Sequence, residues 1–275
     1  MNIGIIGNGF VGGALREGFV GTHKTFCFDC DRQKSPNTLN EVMVNGDIIF
    51  LCVPTPPASS GKVDLSYVRK AIKDASSIDN SKLFVIKSTV PPGTCGKFSD
   101  EFGVKILSNP EFLTERFALS DFLNPRAVII GSRDKADAEK LVNVYRELYA
   151  PLEQAEVGGI DLVKYKVTSL ETAEMIKYAT NCFFSVKIGV MNEFFEICNS
   201  MGVDFNEMIS GVLADGRVFP EHVSVPGPDA KMGFGGKCLP KDLNGLVFLA
   251  KEKGLSPIIL ESTITKNKLL RQEDA

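Results

Sequence analysis

Histidine is almost absent from this sequence, since its only two histidines, His23 and His222, lie outside any recognisable motif. A mechanism centred on histidine is therefore not indicated. No apolar run approaches the ~20 residues that a membrane-spanning helix needs. The N-terminus has neither a basic leader nor a small-residue cleavage site. These absences argue against a membrane protein or an exported one, and we expect a cytoplasmic location.

A block of basic charge is also missing. Lysine and arginine number 31 against 34 aspartates and glutamates, a net charge of -3, so nucleic acid is not an expected partner. Seven scattered cysteines, an odd number, indicate reduced thiols and no disulfide framework. Cys27 and Cys30 have CxxC spacing, but no second pair or nearby histidine completes a zinc site. We therefore predict no metal.

Short apolar runs alternate with helical stretches in the first half of the chain. This alternation predicts a doubly wound α/β fold with a parallel sheet over residues 1–160. The strand candidates are residues 2–6, 25–28, 47–53, 83–87, 104–107 and 127–131. After about residue 160 we expect no further strands and a helical domain over 161–275. Its predicted helices are a long spine at 169–201, shorter ones at 206–213 and 239–253, and one that begins at 256.

Three glycines, Gly7, Gly9 and Gly12, follow the first predicted strand and open a predicted helix. This context is typical of the dinucleotide fingerprint, which needs a tight turn, backbone access to pyrophosphate and close helix packing. Asp29, at the end of the second predicted strand, is placed to bind the ribose hydroxyls and favours NAD over NADP. Cations that follow it, among them Lys34, weaken that preference.

Residues 233–242 place Cys238 just after a glycine-dense turn. If the following residues are helical, the thiol lies near a helix N-terminus, which favours the thiolate and hence a nucleophile. Asp242 then falls one turn later on the same face. The alternative is an ordinary loop cysteine at the start of a helix.

Two further pairs of polar residues have helical spacing. Glu111 and Glu115 follow the fifth predicted strand, at the end of the sheet where such folds bind ligands; an acid-rich helix N-terminus is the alternative. Lys177 and Asn181 lie four apart on the long helix, where a solvated face with a buried asparagine is the alternative. Residues 52–56 and 87–93 end the third and fourth strands and could be ordinary turns.

Taken together, these segments closely resemble the UDP-glucose dehydrogenase family of nucleotide-sugar 6-dehydrogenases. Six motifs occur in the family's order and cover essentially the whole chain. They are Gly-Asn-Gly-Phe-Val-Gly at 7–12, Cys-Val-Pro-Thr-Pro at 52–56, Lys-Ser-Thr-Val-Pro-Pro-Gly-Thr at 87–94, Ser-Asn-Pro-Glu-Phe-Leu at 108–113, Glu-Met-Ile-Lys-Tyr-Ala-Thr-Asn at 174–181 and Gly-Phe-Gly-Gly-Lys-Cys-Leu-Pro-Lys-Asp at 233–242.

The resemblance implies oxidation of a sugar C6 alcohol to a carboxylate with two NAD molecules, without release of the aldehyde. Cys238 would capture the aldehyde as a thiohemiacetal and become a thioester, which splits one hard step into two. Glu111 would assist thioester hydrolysis through a water that Thr89 helps to position. UDP-glucose is the expected substrate, and GDP-mannose and UDP-N-acetylhexosamines are further candidates.

The remaining roles also come from the resemblance. Lys177 and Asn181 would hydrogen-bond the reacting oxygen, and Asp242 would act with water in proton removal. The predicted cofactor-binding residues are Gly7, Asn8, Gly9, Phe10, Val11, Gly12, Asp29, Lys34, Cys52, Val53, Pro54, Thr55, Ser88, Thr89 and Glu115. The predicted substrate-binding residues are Glu111, Phe112, Leu113, Lys177, Asn181, Arg217, Phe234, Gly235 and Cys238.

Assembly and chain length complete the expectations. Arg217 resembles a family arginine that reaches a substrate across a subunit interface. The apolar surface around the long helix predicts a homodimer formed through that helix. Family members usually continue into a third, Rossmann-like domain, whereas this sequence stops inside the connecting helix. One alternative is therefore an NAD-binding remnant without turnover. Another is a two-electron hydroxyacid dehydrogenase of the 6-phosphogluconate type, which has no use for Cys238.

Overall fold

The computed structural model describes residues 1–154 and 163–272. These divide into two compact units. The first unit comprises the described residues of Met1–Pro56 and Asp64–Lys177, and the second comprises those of Pro57–Val63 and Tyr178–Ala275. The predicted domain boundary between residues 160 and 161 falls outside the described residues.

Within the described residues, the first unit contains one sheet of seven strands. The strands are β1 (Asn2–Ile6), β2 (Lys24–Phe28), β3 (Ile48–Leu51), β4 (Leu83–Ile86), β5 (Lys105–Ser108), β6 (Ala127–Gly131) and β7 (Lys164–Thr168). Their order is β2-β1-β3-β4-β5-β6-β7. All neighbours pair in parallel except β5 and β6, which are antiparallel. The predicted α/β sheet is confirmed, but the last two strands run against the first five.

In the described part of the chain, six helices connect the strands and four more follow β7. They are α1 (Phe10–Gly18), α2 (Leu39–Asn45), α3 (Ser66–Ser76), α4 (Thr94–Phe102), α5 (Ala118–Leu123), α6 (Lys135–Gln154), α7 (Leu170–Met201), α8 (Phe205–Ala214), α9 (Leu239–Glu252) and α10 (Ile258–Arg271), with 3-10 turns at Arg32–Lys34 and Glu115–Phe117. The long helix and the three after it are confirmed. The expectation that strands end before residue 160 is wrong, because β7 follows.

Apolar side chains cover both faces of the sheet. Along β3, Ile48 and Phe50 pack into one cluster of buried residues, whereas Ile49 and Leu51 pack into another. Successive side chains of a strand point to opposite faces, so a strand buried on both sides has to be apolar throughout. This explains why the central strands β3 and β4 appear in the sequence as unbroken apolar runs.

The second unit is helical. Its described residues include α8, α9, α10 and the part of α7 after Lys177. One buried cluster surrounds Met191 and Phe205, and another surrounds Cys182, Phe234 and Leu243. None of the helices in the described ranges combines the length and apolar character that crossing a bilayer requires.

Candidate active site

The loops that carry the sequence motifs leave the sheet at one edge. Ile6 pairs with Leu51, Leu51 with Ile86, and Ile86 with Ser108. Because these strands are parallel and in register, the loops that follow β1, β3, β4 and β5 all begin at their carboxyl ends. We call this side of the sheet the carboxyl edge. The strand order reverses at β1, which has β2 on one side and β3 on the other, and this is the switch point where such sheets bind ligands.

The glycine loop after β1 contains two glycines that the backbone packing requires and one that faces open space. Gly7 has φ +99°, and a Cβ there would lie 2.5 Å from the Cys52 carbonyl oxygen. A Cβ on Gly12 would overlap the Gly7 carbonyl oxygen. A Cβ on Gly9 would meet no atom within 4 Å. The chain itself therefore requires Gly7 and Gly12, whereas Gly9 leaves room for a ligand at the N-terminus of α1.

Asp29 joins the glycine loop to the loop after β2. Its Oδ2 accepts a 2.6 Å hydrogen bond from the Asn8 amide, and its Oδ1 accepts a 2.8 Å bond from the Asp31 amide. The Asn8 side chain donates to the Lys34 carbonyl oxygen at 2.6 Å. These bonds fix Asp29 beside the glycine loop, where the sequence pattern predicted it.

A cavity of about 700 Å³ lies against these loops. Among the predicted cofactor residues, Asn8, Gly9, Phe10, Lys34 and Glu115 line it. Its lining also includes cations and an amide that the sequence analysis missed, namely Arg16, Arg116 and Gln33. Guanidinium and ammonium groups complement phosphate. These three cations, Arg16, Lys34 and Arg116, outnumber the two carboxylates of the lining, Glu17 and Glu115, so the cavity is suited to an anionic ligand held at the N-terminus of α1.

The remaining predicted cofactor residues follow β1, β3 and β4. Val11 and Cys52 are half-buried against one core of the first unit, and Val53 packs against the other. Thr55 is buried, while Pro54 is exposed. Ser88 ties two loops together, because its hydroxyl donates to the Val53 carbonyl oxygen at 2.7 Å. Burial raises the pKa of the Cys52 thiol to about 12, which keeps this thiol protonated and inert.

Glu111 and Lys177 form a buried ion pair within the first unit. The Lys177 Nζ lies 3.4 Å from Glu111 Oε1, and both side chains are 6% exposed. Glu111 Oε2 accepts a 2.5 Å hydrogen bond from the Leu113 amide. The Lys177 ammonium also lies 5.2 Å from the centre of the Phe112 ring. One carboxylate oxygen thus faces a cation and the other an amide, which holds the carboxylate in one orientation.

Behind this pair lies a second buried lysine. The Lys87 Nζ donates to Asn109 Oδ1 at 3.0 Å and to the Tyr145 hydroxyl at 3.3 Å. The Tyr145 hydroxyl donates to the same Asn109 oxygen at 2.5 Å. Burial lowers the pKa of Lys87 to about 8, against an opposing effect of Cys52 and Glu111. The sequence analysis placed Lys87 at the end of β4 but did not identify these partners.

Glu174 fixes the loop that follows β4, which includes Thr89. Its two carboxylate oxygens accept hydrogen bonds from the Gly93 amide at 2.6 Å and the Cys95 amide at 2.7 Å. These are the orphan amides of the N-terminus of α4, so Glu174 caps that helix from α7. Burial raises the pKa of Glu174 in spite of these bonds. Thr89 itself is half-buried.

Cys238, in the second unit, is the N-cap residue of α9, as the sequence analysis expected. The Asp242 amide donates to the Cys238 carbonyl oxygen at 2.9 Å, closing the first turn. The Asp242 side chain is fully buried. Its Oδ2 accepts from Asn181 Nδ2 at 2.6 Å, and its Oδ1 lies 2.5 Å from Lys241 Nζ. The sequence analysis placed Lys241 within this motif but gave it no role in the site, because adjacency in sequence gave no sign of this pairing.

The other predicted substrate residues of the second unit differ in exposure. Phe234 is buried, and its ring packs with Cys182 and Leu243. Gly235 lies against the Arg271 guanidinium, which a Cβ would approach to 3.0 Å. Arg217 is exposed and ion-paired with Asp215. Across residues 1–154 and 163–272, no three histidine, cysteine, aspartate or glutamate residues are grouped as metal ligands.

Two family models match the sequence. The NAD binding domain of the UDP-glucose/GDP-mannose dehydrogenase family matches residues 32–152, and the central domain of the same family matches residues 171–269. NAD is therefore the cofactor of the first domain, as predicted. Together the two matches cover most of the chain.

Relatives agree with these matches. A UDP-glucose 6-dehydrogenase of Rickettsia conorii is 35% identical over 98% of this chain and 67% of its own length. Among solved structures, a UDP-glucose dehydrogenase from Pyrobaculum islandicum superposes with a TM-score of 0.84 at 28% identity, over 98% of this chain and 68% of that one. A GDP-mannose dehydrogenase from Pseudomonas aeruginosa gives 0.69 at 26% identity, over 99% and 69%. This sequence thus spans about two thirds of each relative. The chain belongs to the UDP-glucose/GDP-mannose dehydrogenase family of enzymes.

Proposed function

We propose that this chain carries out the NAD-dependent four-electron oxidation of a nucleotide sugar, UDP-glucose to UDP-glucuronate. Family membership supports a nucleotide-sugar dehydrogenase. The observation that carries the four-electron reaction is the arrangement at the start of α9. There a cysteine occupies the N-cap, and the carboxylate one turn later is fully buried and paired on both oxygens. A two-electron dehydrogenase has no need of this thiol.

The first unit supplies the groups that would hold NAD. The open space at Gly9 and the amides at the start of α1 suit a pyrophosphate, and Asp29 suits ribose hydroxyls. Arg16 and Lys34 add positive charge to the same cavity. When bound, NAD accepts the hydride that leaves the sugar carbon at each oxidation.

The proposed first oxidation converts the C6 alcohol to an aldehyde. The hydroxyl proton passes to a water that Asp242 orients, while hydride leaves the carbon. Lys177 and Asn181 hydrogen-bond the oxygen as negative charge develops on it. The paired environment of Asp242 fixes the direction of its carboxylate, so the carboxylate needs little reorganisation during the reaction.

The second oxidation proceeds through Cys238. Its thiolate adds to the aldehyde carbon to give a thiohemiacetal, and loss of hydride from that carbon leaves a thioester. A water, aligned by Glu111 with the help of Thr89, then attacks the thioester carbonyl. The C–S bond breaks, the sugar leaves as a carboxylate, and the thiol is restored. Cys238 lies at the N-terminus of α9, where the backbone amides favour negative charge on its sulfur.

We also propose a homodimer formed through α7. Large apolar side chains lie exposed along one face of this helix, and their spacing follows the helical repeat. They are Phe183, Val190, Phe194, Ile197 and Met201. An apolar stripe of this length is suited to a second copy of the same helix. Arg217 would then reach the partner's substrate. The cytoplasmic location remains a prediction, as does the division into a cofactor-binding domain at 1–160 and a helical domain at 161–275.

The test is the number of NADH molecules formed per sugar consumed, with purified chain, NAD and UDP-glucose. Two per sugar, together with UDP-glucuronate, are expected. Cys238→Ser should form no acid and at most one NADH per sugar, whereas Cys30→Ser, at an exposed thiol, should behave like the parent. Full acid formation by Cys238→Ser would refute the covalent mechanism. NAD binding without turnover on UDP-glucose, GDP-mannose or UDP-N-acetylhexosamines would favour the remnant.

A further inference from the structure

The segment that leads into Cys238 is held by side chains. Residues Gly233 and Phe234 offer four backbone polar groups, two amides and two carbonyls. The Gly233 amide donates to Asn192 Oδ1 at 2.9 Å, and the Gly233 carbonyl accepts from Arg271 Nη2 at 3.0 Å. The Phe234 amide donates to Asn267 Oδ1 at 2.7 Å, and its carbonyl accepts from Asn267 Nδ2 at 2.9 Å. All four groups are therefore satisfied by side chains.

The two asparagines are buried and come from different helices. Asn192, on α7, is 1% exposed, and Asn267, on α10, is 7% exposed. Asn267 uses both its oxygen and its nitrogen on one residue, as a neighbouring strand would. Buried polar groups cost free energy when left unpaired, so the asparagines and the segment depend on each other. We call Asn192 and Asn267 the asparagine clamp.

Glycine at position 233 leaves room for the asparagine clamp. Gly233 has φ +69°, and a Cβ there would lie 2.5 Å from Asn267 Oδ1. Any larger residue at position 233 would displace the side-chain amide of Asn267. The Phe234 ring packs with Cys182 and Leu243, which adds an apolar contact to the same segment. Gly235 and Gly236 then turn the chain into Cys238 at the start of α9.

We propose that Asn192 and Asn267 are positioning residues for the second oxidation. They act through Gly233–Phe234 by fixing the point from which the chain enters the N-cap position of Cys238. This inference rests on the proposed role of Cys238 as the nucleophile. A thiol displaced by about 1 Å reacts far more slowly, with losses of ~100-fold. The first oxidation does not use the thiol, so loss of the clamp should allow the aldehyde to escape.

The test compares Asn267→Leu with Thr263→Val. Thr263 lies one turn earlier on α10, is equally buried, and donates its hydroxyl to the Ile259 carbonyl of the same helix. In Asn267→Leu the number of NADH per sugar should fall from two towards one, with aldehyde trapped by hydroxylamine. Thr263→Val should keep two. A general loss of stability would reduce the amount of active protein in both variants but would leave the ratio at two.

Hydrogen exchange provides a readout that does not depend on turnover. The amides of Gly233 and Phe234 should lose protection in Asn267→Leu and keep it in Thr263→Val. Retained protection would overturn the clamp, and lost protection with a ratio of two would overturn its positioning role. If Asn267→Leu does not fold, Asn192→Leu, which removes a single bond to the segment, takes its place.

Failure of the proposed function gives a different pattern. In that case the parent protein itself would not yield two NADH per sugar. The clamp would then be judged by exchange and by the rate at which iodoacetamide alkylates Cys238. Displacement of the thiol should change that rate in Asn267→Leu but not in Thr263→Val. Equal rates in all three proteins would overturn the proposal.

Discussion

Replacing Lys87 with methionine should change how the stability of the first unit depends on pH. Burial lowers the pKa of Lys87 from 10.5 to about 8 in the folded protein. Between these values the unfolded chain holds a proton that the folded chain has released. The free energy of unfolding therefore rises with pH across this window, relative to a protein without the group. Methionine keeps the length and removes the titration.

The size of the effect follows from the two pKa values. They differ by about 2.5 pH units, and each unit corresponds to ~1.4 kcal/mol. The parent should thus gain ~3 kcal/mol over Lys87→Met between pH 8 and pH 10.5. Asn109 and Tyr145 retain their mutual hydrogen bond in the variant, so their polar groups stay partnered.

Urea unfolding followed by far-ultraviolet circular dichroism is the appropriate assay, because the chain has no tryptophan. Buried thiols with raised pKa values, such as Cys27 at about 11, destabilise the fold as pH rises, but they do so in both proteins. The difference between parent and variant therefore isolates Lys87. An exposed lysine replaced in the same way, Lys97→Met, should give no slope. A constant difference between parent and Lys87→Met across the window would refute the reasoning.

Two further predictions concern the cofactor loop and the dimer. Gly9→Ala should fold normally but bind NAD about ten-fold more weakly, a loss of ~1.4 kcal/mol in binding free energy, because the new Cβ occupies the open space. Gly12→Ala should instead lose ~1–3 kcal/mol of folding stability, since its Cβ overlaps a backbone oxygen. Calorimetric titration with NAD measures the first effect, and urea unfolding measures the second. Equal Kd values for NAD in the parent and in Gly9→Ala would contradict the assignment of Gly9 to the cofactor site. Phe194→Asp should convert the dimer to a monomer in light scattering; a parent that is already monomeric would exclude the dimer.

Much of the fold was accessible from the sequence because the central strands of the sheet are buried on both faces. Runs such as residues 48–51 and 83–86 are apolar at every position, and both form strands. β7 escaped prediction because it lies at the edge of the sheet and its residues, Lys-Tyr-Lys-Val-Thr, are largely exposed or half-buried. The reversal of β6 likewise left no mark, since an apolar run has the same composition in either direction.

The site was predictable where function requires several residues at short spacing. The glycine loop and the residues from Cys238 to Asp242 met this condition, and the structure brings the members of each together. Lys87 and Glu174 did not, because their partners are distant in sequence and a lone charged residue does not disclose what it contacts. A charge placed directly after an apolar strand, as Lys87 is, was the one local signal available.

The first turns of α7 set a limit on how this sequence can diverge. Glu174 caps α4 behind the loop after β4, and Lys177 pairs with Glu111 after β5. With 3.6 residues per turn, one inserted residue between them would rotate Lys177 by about 100° around the helix. Loops absorb insertions readily, whereas this stretch cannot absorb even one. Substitutions at the exposed Met175 are tolerable, but the spacing between Glu174 and Lys177 has to be inherited unchanged.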